Sequence, residues 1–234
     1  MTQEKLSGTK STKKWKQGPG RPSQPSEARQ QLLNAGLKLF TEQGYKPVST
    51  RMIAREAGVD AAMIRYYFGS KIGLFETIIR ETFTPIIDQF RYPDSLHRDE
   101  QTELSGEALM QKLMSTYYQV MTQHPGLPRL VFQILHQQDS EAYPVFFKTT
   151  QELVQYSRKW ITDVLVASGM LREDVDPARA QLSFISLMVF PLIAPPVISQ
   201  QLGISLSPEA IAEHIRHTSK LLTKGMLKTN EVTP

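Results

Sequence analysis

Twenty consecutive residues, Ser49-Thr50-Arg51-Met52-Ile53-Ala54-Arg55-Glu56-Ala57-Gly58-Val59-Asp60-Ala61-Ala62-Met63-Ile64-Arg65-Tyr66-Tyr67-Phe68, restrict the fold of this chain more than any other segment. Two short helices that meet near a right angle need a small side chain where they touch, and Ala54 supplies it. The tight turn between them needs a residue that tolerates positive φ, and Gly58, four positions later, has no Cβ to clash there. Ile53, Val59 and Ile64 are spaced to plug the angle between the two helices. Asp60 is placed to cap the second helix through its side-chain oxygen. The Ala-to-Gly spacing is common in isolation. Joined to these apolar plugs and to an amphipathic helix before them, it predicts a helix-turn-helix.

In such a motif the second helix enters the major groove of DNA while the first crosses the backbone. Ala61, Ala62, Met63, Arg65 and Tyr66 fall on its exposed early turns. Arg65 is the best-suited base reader, because its forked guanidinium can take both acceptors of a guanine. A surface ion pair is the alternative for that arginine. Small Ala61 and Ala62 let the backbone come close and offer a methyl group to thymine. Thr50, Arg51, Tyr67 and Lys71 are expected to hold phosphates and so fix register. One of Tyr66 and Tyr67 can instead pack in the core.

Charge is distributed to match. Residues 1–80 carry 14 Lys and Arg against 6 Asp and Glu, a balance of +8, while the remainder balances at −4. A basic first third on an acidic body points to a polyanion partner at one end; the alternative is a basic tail that only aids solubility. Residues 1–25 read as a disordered basic arm rich in Lys, Ser, Gly, Gln and Pro, with Trp15 its only aromatic residue. Within it, Gly18-Pro19-Gly20-Arg21-Pro22 resembles the core of an AT-hook. That makes Arg21 a candidate for a narrow minor groove. Nonspecific phosphate attraction, or no contact at all, is the competing reading.

The rest of the chain is a succession of helical periodicities. Leu32, Leu33, Gly36, Leu37, Leu39 and Phe40 mark an amphipathic helix that starts at Ser26 and is closed by Gly44. A helix after Ser70 carries Leu74, Phe75, Ile78, Ile79 and Phe83 towards Pro85 or beyond. After a polar loop over 91–105, helices are expected at 109–121, 127–138, 143–167, 177–201 and 208–228. No run shows sustained strand alternation, so the fold class is all-α.

Two sites are expected in this helical body. Residues 182–190 are apolar nearly all round, which requires burial on several sides. Phe184, Leu187 and Met188, with Ile211, Ile215 and Leu222 of the last helix, are candidates for a dimer interface; the alternative is plain monomer core. Met114, Tyr117, Tyr118, Met121, Phe132, Phe147 and Trp160 are candidates for an adaptable apolar effector pocket, or else ordinary core.

Several classes find no support. The chain has no cysteine, which excludes disulfides, thiolate zinc sites and cysteine nucleophiles. His214 and His217 lie three apart with only Glu213 near them, so surface histidines are expected and no metal site. No phosphate-cradling loop or catalytic constellation is present, so neither an enzyme nor a cofactor is expected. The most apolar stretch, 182–198, is interrupted by Pro191, Pro195 and Pro196 and falls short of the roughly 20 residues a membrane span needs. With no apolar signal core near the N-terminus, a cytoplasmic protein is expected.

The chain resembles the TetR family of bacterial repressors. The resemblance rests on Ile53-Ala54-Arg55-Glu56-Ala57-Gly58-Val59, on Tyr66-Tyr67-Phe68-Gly69-Ser70-Lys71 and on Leu74-Phe75, within a matching window of about residues 27–76. A tyrosine is usual where this chain has Arg65, a departure that bears on the operator sequence. The resemblance implies an N-terminal three-helix DNA-binding domain at 26–72. A C-terminal helical domain for effector binding and dimerisation would follow at 73–228, flanked by the arm at 1–25 and a tail at 229–234. The implied function is a repressor that binds palindromic double-stranded operator DNA as a homodimer and is released by a small lipophilic or aromatic effector. The alternative is a helical binding module whose basic head serves a protein or another polyanion, with no specific operator.

Overall fold

The computed structural model describes residues 25–91, 105–203 and 205–228. Arg21 and the rest of the basic arm, the segment 92–104 and the tail lie outside the described residues. Helix α1 (Pro25–Gln43) buries Leu32, Leu33, Ala35, Leu39 and Phe40 at helical spacing and is followed by Gly44 at φ +82°. Helices α2 (Thr50–Ala57) and α3 (Ala62–Phe68) follow. They pack with α1 into a small head.

Helix α4 (Lys71–Arg91) starts in the head and ends in the body. At about 1.5 Å per residue its 21 residues reach roughly 31 Å. Its first turns bury Leu74 and Phe75 and its last turns Ile86, Ile87 and Phe90. It runs from Lys71 through Pro85 without a break, and the boundary expected at 72/73 falls inside this one helix. The body comprises α5 (Gly106–Gln123), α6 (Leu127–Leu135), α7 (Tyr143–Trp160), α8 (Pro177–Ile193), α9 (Pro196–Gln201) and α10 (Pro208–Met226). Ser105, Asp176 and Ser207 cap α5, α8 and α10 through their side-chain oxygens.

Two expected helices are interrupted, each for a backbone reason. After Trp160 the chain widens into a π-helical segment, Ile161–Val166, closed by the Ala167 N–H on the Thr162 carbonyl at 3.0 Å. The helix expected over 177–201 breaks because Ala194 and Pro195 each precede a proline and are held extended, at ψ 136° and 140°. Pro191, inside α8, has no N–H for the Leu187 carbonyl. His214 Nε2 of α10 lies 3.3 Å from that oxygen, and the Tyr118 hydroxyl donates to the neighbouring Met188 carbonyl at 2.9 Å. His214, expected on the surface, is therefore half-buried against the Tyr118 ring.

Among the described residues the only β pairing is one antiparallel bridge between Leu171 and Leu227, and the fold is all-α. A chain of aromatic contacts joins head to body. Phe40 and Tyr45 each meet Phe75, at 5.2 and 4.9 Å between ring centroids; Phe75 meets Phe146 at 5.5 Å, and Phe146 meets Phe83 at 6.3 Å. No helix of the described residues is long and apolar enough to cross a membrane.

Candidate nucleic-acid interface

The geometry of the head follows from a few local choices. Ser49 Oγ accepts the Met52 N–H at 3.3 Å and starts α2. Gly58 takes φ +67°, ψ 28°, and its N–H and that of Val59 close on α2 carbonyls, reversing the chain within three residues. Asp60 Oδ1 accepts the Ala62 N–H at 2.7 Å, which sets the first turn of α3. Ile53, Ala54 and Ile64 are buried in the angle between the helices, with Val59 half-buried beside them. Lys38 of α1 and Glu56 of α2 pair at 2.6 Å across the outside.

This packing dictates what α3 presents outward. Ala61, Ala62, Arg65 and Tyr66 are exposed, Tyr66 to 74% of its full surface. Met63 and Tyr67 are half-buried against the core. Of the two tyrosines, Tyr67 packs inward and Tyr66 reaches out, with their rings edge-to-face at 4.8 Å. On α2, Thr50 is half-buried at the first turn and Arg51 is exposed. Arg55, one turn further along the same face, is also exposed and was not singled out from the sequence. Its signal was the four-residue step from Arg51. Arg51, Arg55 and Arg65 form no ion pair with any described residue. The result is a face that presents three unpaired arginines beside small side chains.

Lys71 lies elsewhere. Its ammonium sits 4.0 Å from the centre of the Tyr45 ring at the joint between head and body. Burial lowers its pKa, while the charge of Glu141 pulls the other way. The Tyr45 hydroxyl donates to Glu141 Oε1 at 2.7 Å; burial above all, then this bond, pushes the phenol well above its ordinary pKa. Lys46 pairs with Asp139 at 3.1 Å beside it, exposed enough to contribute little. Gly126, at the start of α6, packs so closely on the end of α1 that a Cβ there would stand 2.7 Å from Thr41 Cβ. The start of α6, through Gly126, and the loop between α6 and α7, through Asp139 and Glu141, are thus both tied directly to the head.

The body holds a cavity of about 240 Å³, partly open to solvent, between α4, α5, α6, α7 and α8. Tyr117, Met121 and Phe132 line it, as do Phe83, Phe184 and Met188. Met114 and Tyr118 are buried on the adjoining stripe of α5, where the Met114 sulfur lies 3.7 Å from Ser219 Oγ and Tyr118 meets His214, both of α10. Trp160 is buried behind Phe90 and does not line the cavity, and Phe147 lies half-exposed beside Tyr143. Among the residues expected at a dimer interface, Phe184, Met188, Ile215 and Leu222 are buried within the subunit and Leu187 and Ile211 half-buried. The apolar surface that α8 and α10 leave open is instead Leu182, Phe190 and Leu221. No group of three or more His, Cys, Asp or Glu among the described residues is placed to hold a metal.

Residues 32–78 match the family model described as bacterial regulatory proteins, tetR family. The HTH-type transcriptional regulator BetI 2 of Chromohalobacter salexigens is 42% identical over 60 residues, a match covering 26% of this chain and 29% of that regulator. The HTH-type transcriptional repressor NicS of Pseudomonas putida is 24% identical over 212 residues, covering 88% of this chain and 95% of the repressor. Among solved structures, FadR of Bacillus subtilis in complex with stearoyl-CoA superposes with a TM-score of 0.65 at 17% identity, over 84% of this chain and 98% of FadR. The ketosteroid transcriptional regulator KstR2 of Mycobacterium tuberculosis does so with a TM-score of 0.62 at 16% identity, over 86% of this chain and 95% of KstR2. The motif, its buried plugs and the matched window all fall on α1–α4, and over residues 32–78 the chain is similar to the tetR family of bacterial regulatory proteins.

Proposed function

We propose that this chain is a DNA-binding transcriptional repressor that grips a palindromic operator as a homodimer and is released when a lipophilic compound fills the cavity of its body. One observation carries the reading: α3 leaves Ala61, Ala62, Arg65 and Tyr66 bare to solvent beside the unpaired Arg51 and Arg55. A helix with small residues at its start can approach base edges closely, and Arg65 then reads a guanine. Thr50, Arg51 and Arg55 hold phosphates on either side, while Tyr67 packs behind α3. Lys71 steadies the joint from its place over Tyr45. Arg21, in the arm, adds a minor-groove contact next to each half-site. The apolar cavity supports the effector, and the uncovered Leu182, Phe190 and Leu221 support the dimer. FadR of Bacillus subtilis, of the same fold, was solved with an acyl-CoA.

Selection of bound duplexes from random DNA, followed by footprinting at several salt concentrations, tests this. The expected result is one inverted repeat with half-sites about one helical turn apart, roughly 34 Å, bound at least a thousandfold above random duplex. Equal binding to every duplex would return the alternative, a basic head without a specific operator. Removing residues 1–24 is expected to weaken operator binding and flatten its salt dependence. Unchanged affinity and slope would remove the arm from the interface.

A further inference from the structure

Among the described residues, the cavity lining contains no Lys, Arg, His, Asp or Glu. Its polar side chains are Tyr117, Thr150 and Ser157. Two of these are already engaged. Thr150 Oγ1 lies within hydrogen-bond reach of the Phe146 and Phe147 carbonyls, at 2.8 and 3.0 Å. Ser157 Oγ donates to the Val154 carbonyl at 3.2 Å and accepts from Gln181 Nε2 at 2.7 Å. Tyr117 differs. It is 8% exposed, and its hydroxyl has no hydrogen-bond partner among the described residues. Burial pushes that phenol above its ordinary pKa, so it remains a neutral O–H donor at any physiological pH.

We propose that the cavity selects an uncharged lipophilic compound carrying one hydrogen-bond acceptor, a ketone, ester or ether oxygen, which takes the Tyr117 O–H. The inference rests on the reading of the cavity as the effector site and narrows the chemistry of what enters it. An anion would surrender its hydration to a lining with no cation to replace it. A cation would find ring faces on Phe83, Phe90, Phe132 and Phe184 but no carboxylate, so its charge would stay uncompensated. A pure hydrocarbon would fill the space and leave the Tyr117 O–H unpaired, which is the costly outcome for a buried donor. An acceptor on an apolar frame meets every condition that the lining sets.

Matched probes on the full-length protein decide the point: 2-octanone, n-octane, octanoate and octyltrimethylammonium, titrated by calorimetry at neutral pH. The ketone is expected to bind about tenfold more tightly than the hydrocarbon, with no measurable binding of either ion. In Tyr117→Phe, which keeps the ring and removes only the hydroxyl, the ketone-to-hydrocarbon ratio is expected to fall to near one. A ratio unchanged in that variant, or either ion binding as tightly as the ketone, overturns the proposal. Binding by none of the four overturns the cavity as a ligand site altogether. Ketone binding that depends on Tyr117 but leaves operator affinity unaltered upholds the recognition chemistry and instead sinks the effector role proposed above.

Discussion

Along α3 a single turn separates side chains that must face the core from side chains that must face outward. Ile64 is buried between α2 and α3, and its removal leaves a hole that the short helices cannot fill by moving. Ile64→Ala is expected to cost about 2–5 kcal/mol in equilibrium unfolding, a typical price for a core cavity. Arg65, one position on, faces solvent without an ion-pair partner, so its loss should be felt only on DNA. Arg65→Ala is expected to cost about 1–3 kcal/mol of operator affinity and to relax discrimination at one base pair. Arg51→Ala should weaken all sequences alike and lower the salt slope by about one. Binding isotherms against single-position operator variants separate the two patterns; a uniform loss with Arg65→Ala would make it a phosphate contact. The sequence located this face through Gly58 and Asp60 but did not say which tyrosine shares it. A helix of seven residues is two turns long, and periodicity over two turns does not distinguish Tyr66 from Tyr67.

Between elements, the joint of head and body turns on Tyr45, 4% exposed, and its bond to Glu141. Deleting the acceptor strands a buried hydroxyl, whereas deleting the hydroxyl removes the need for the acceptor. Glu141→Ala is therefore expected to destabilise by about 1–3 kcal/mol. The double variant with Tyr45→Phe should be less destabilised than the two single losses added together. Strict additivity in urea unfolding would show that the two groups do not depend on each other. This contact spans 96 positions of chain, and nothing in local periodicity announces it. The cavity was legible in kind but not in register for a similar reason. On α5 the row Tyr117–Met121 faces the cavity and the row Met114–Tyr118 faces α10, and both rows are apolar. The sequence places a kink or interruption at Pro191 as well as at Pro195 and Pro196, yet α8 continues through Pro191, with His214 of a distant helix standing beside the orphaned Leu187 carbonyl.

At the scale of the whole molecule, α8 has two apolar sides and one subunit covers only one of them. Phe184, Met188 and Leu192 face inward, while Leu182 and Phe190 stay 65% and 51% exposed and Leu221 of α10 adds a further 52%. A helix apolar all round announces burial on several sides, but its sequence does not say which stripe belongs to which subunit. Of the residues expected at the interface, Phe184, Met188, Ile215 and Leu222 build the subunit's own core, while Leu187 and Ile211 stay half-buried. Apolar side chains left this exposed on neighbouring helices mark an association site where they join into one patch. The proposed dimer uses it to bring two α3 helices to one operator, where the second half-site binds as an intramolecular partner. Leu182→Glu with Phe190→Glu places like charges on that surface while leaving the inward stripe intact. Sedimentation velocity is expected to show a monomer of unchanged helical circular dichroism, and operator affinity is expected to fall by about a hundredfold or more once the half-sites bind independently. A variant that remains dimeric would move the interface off this face, and a monomer with undiminished operator affinity would mean that the two reading heads do not act together.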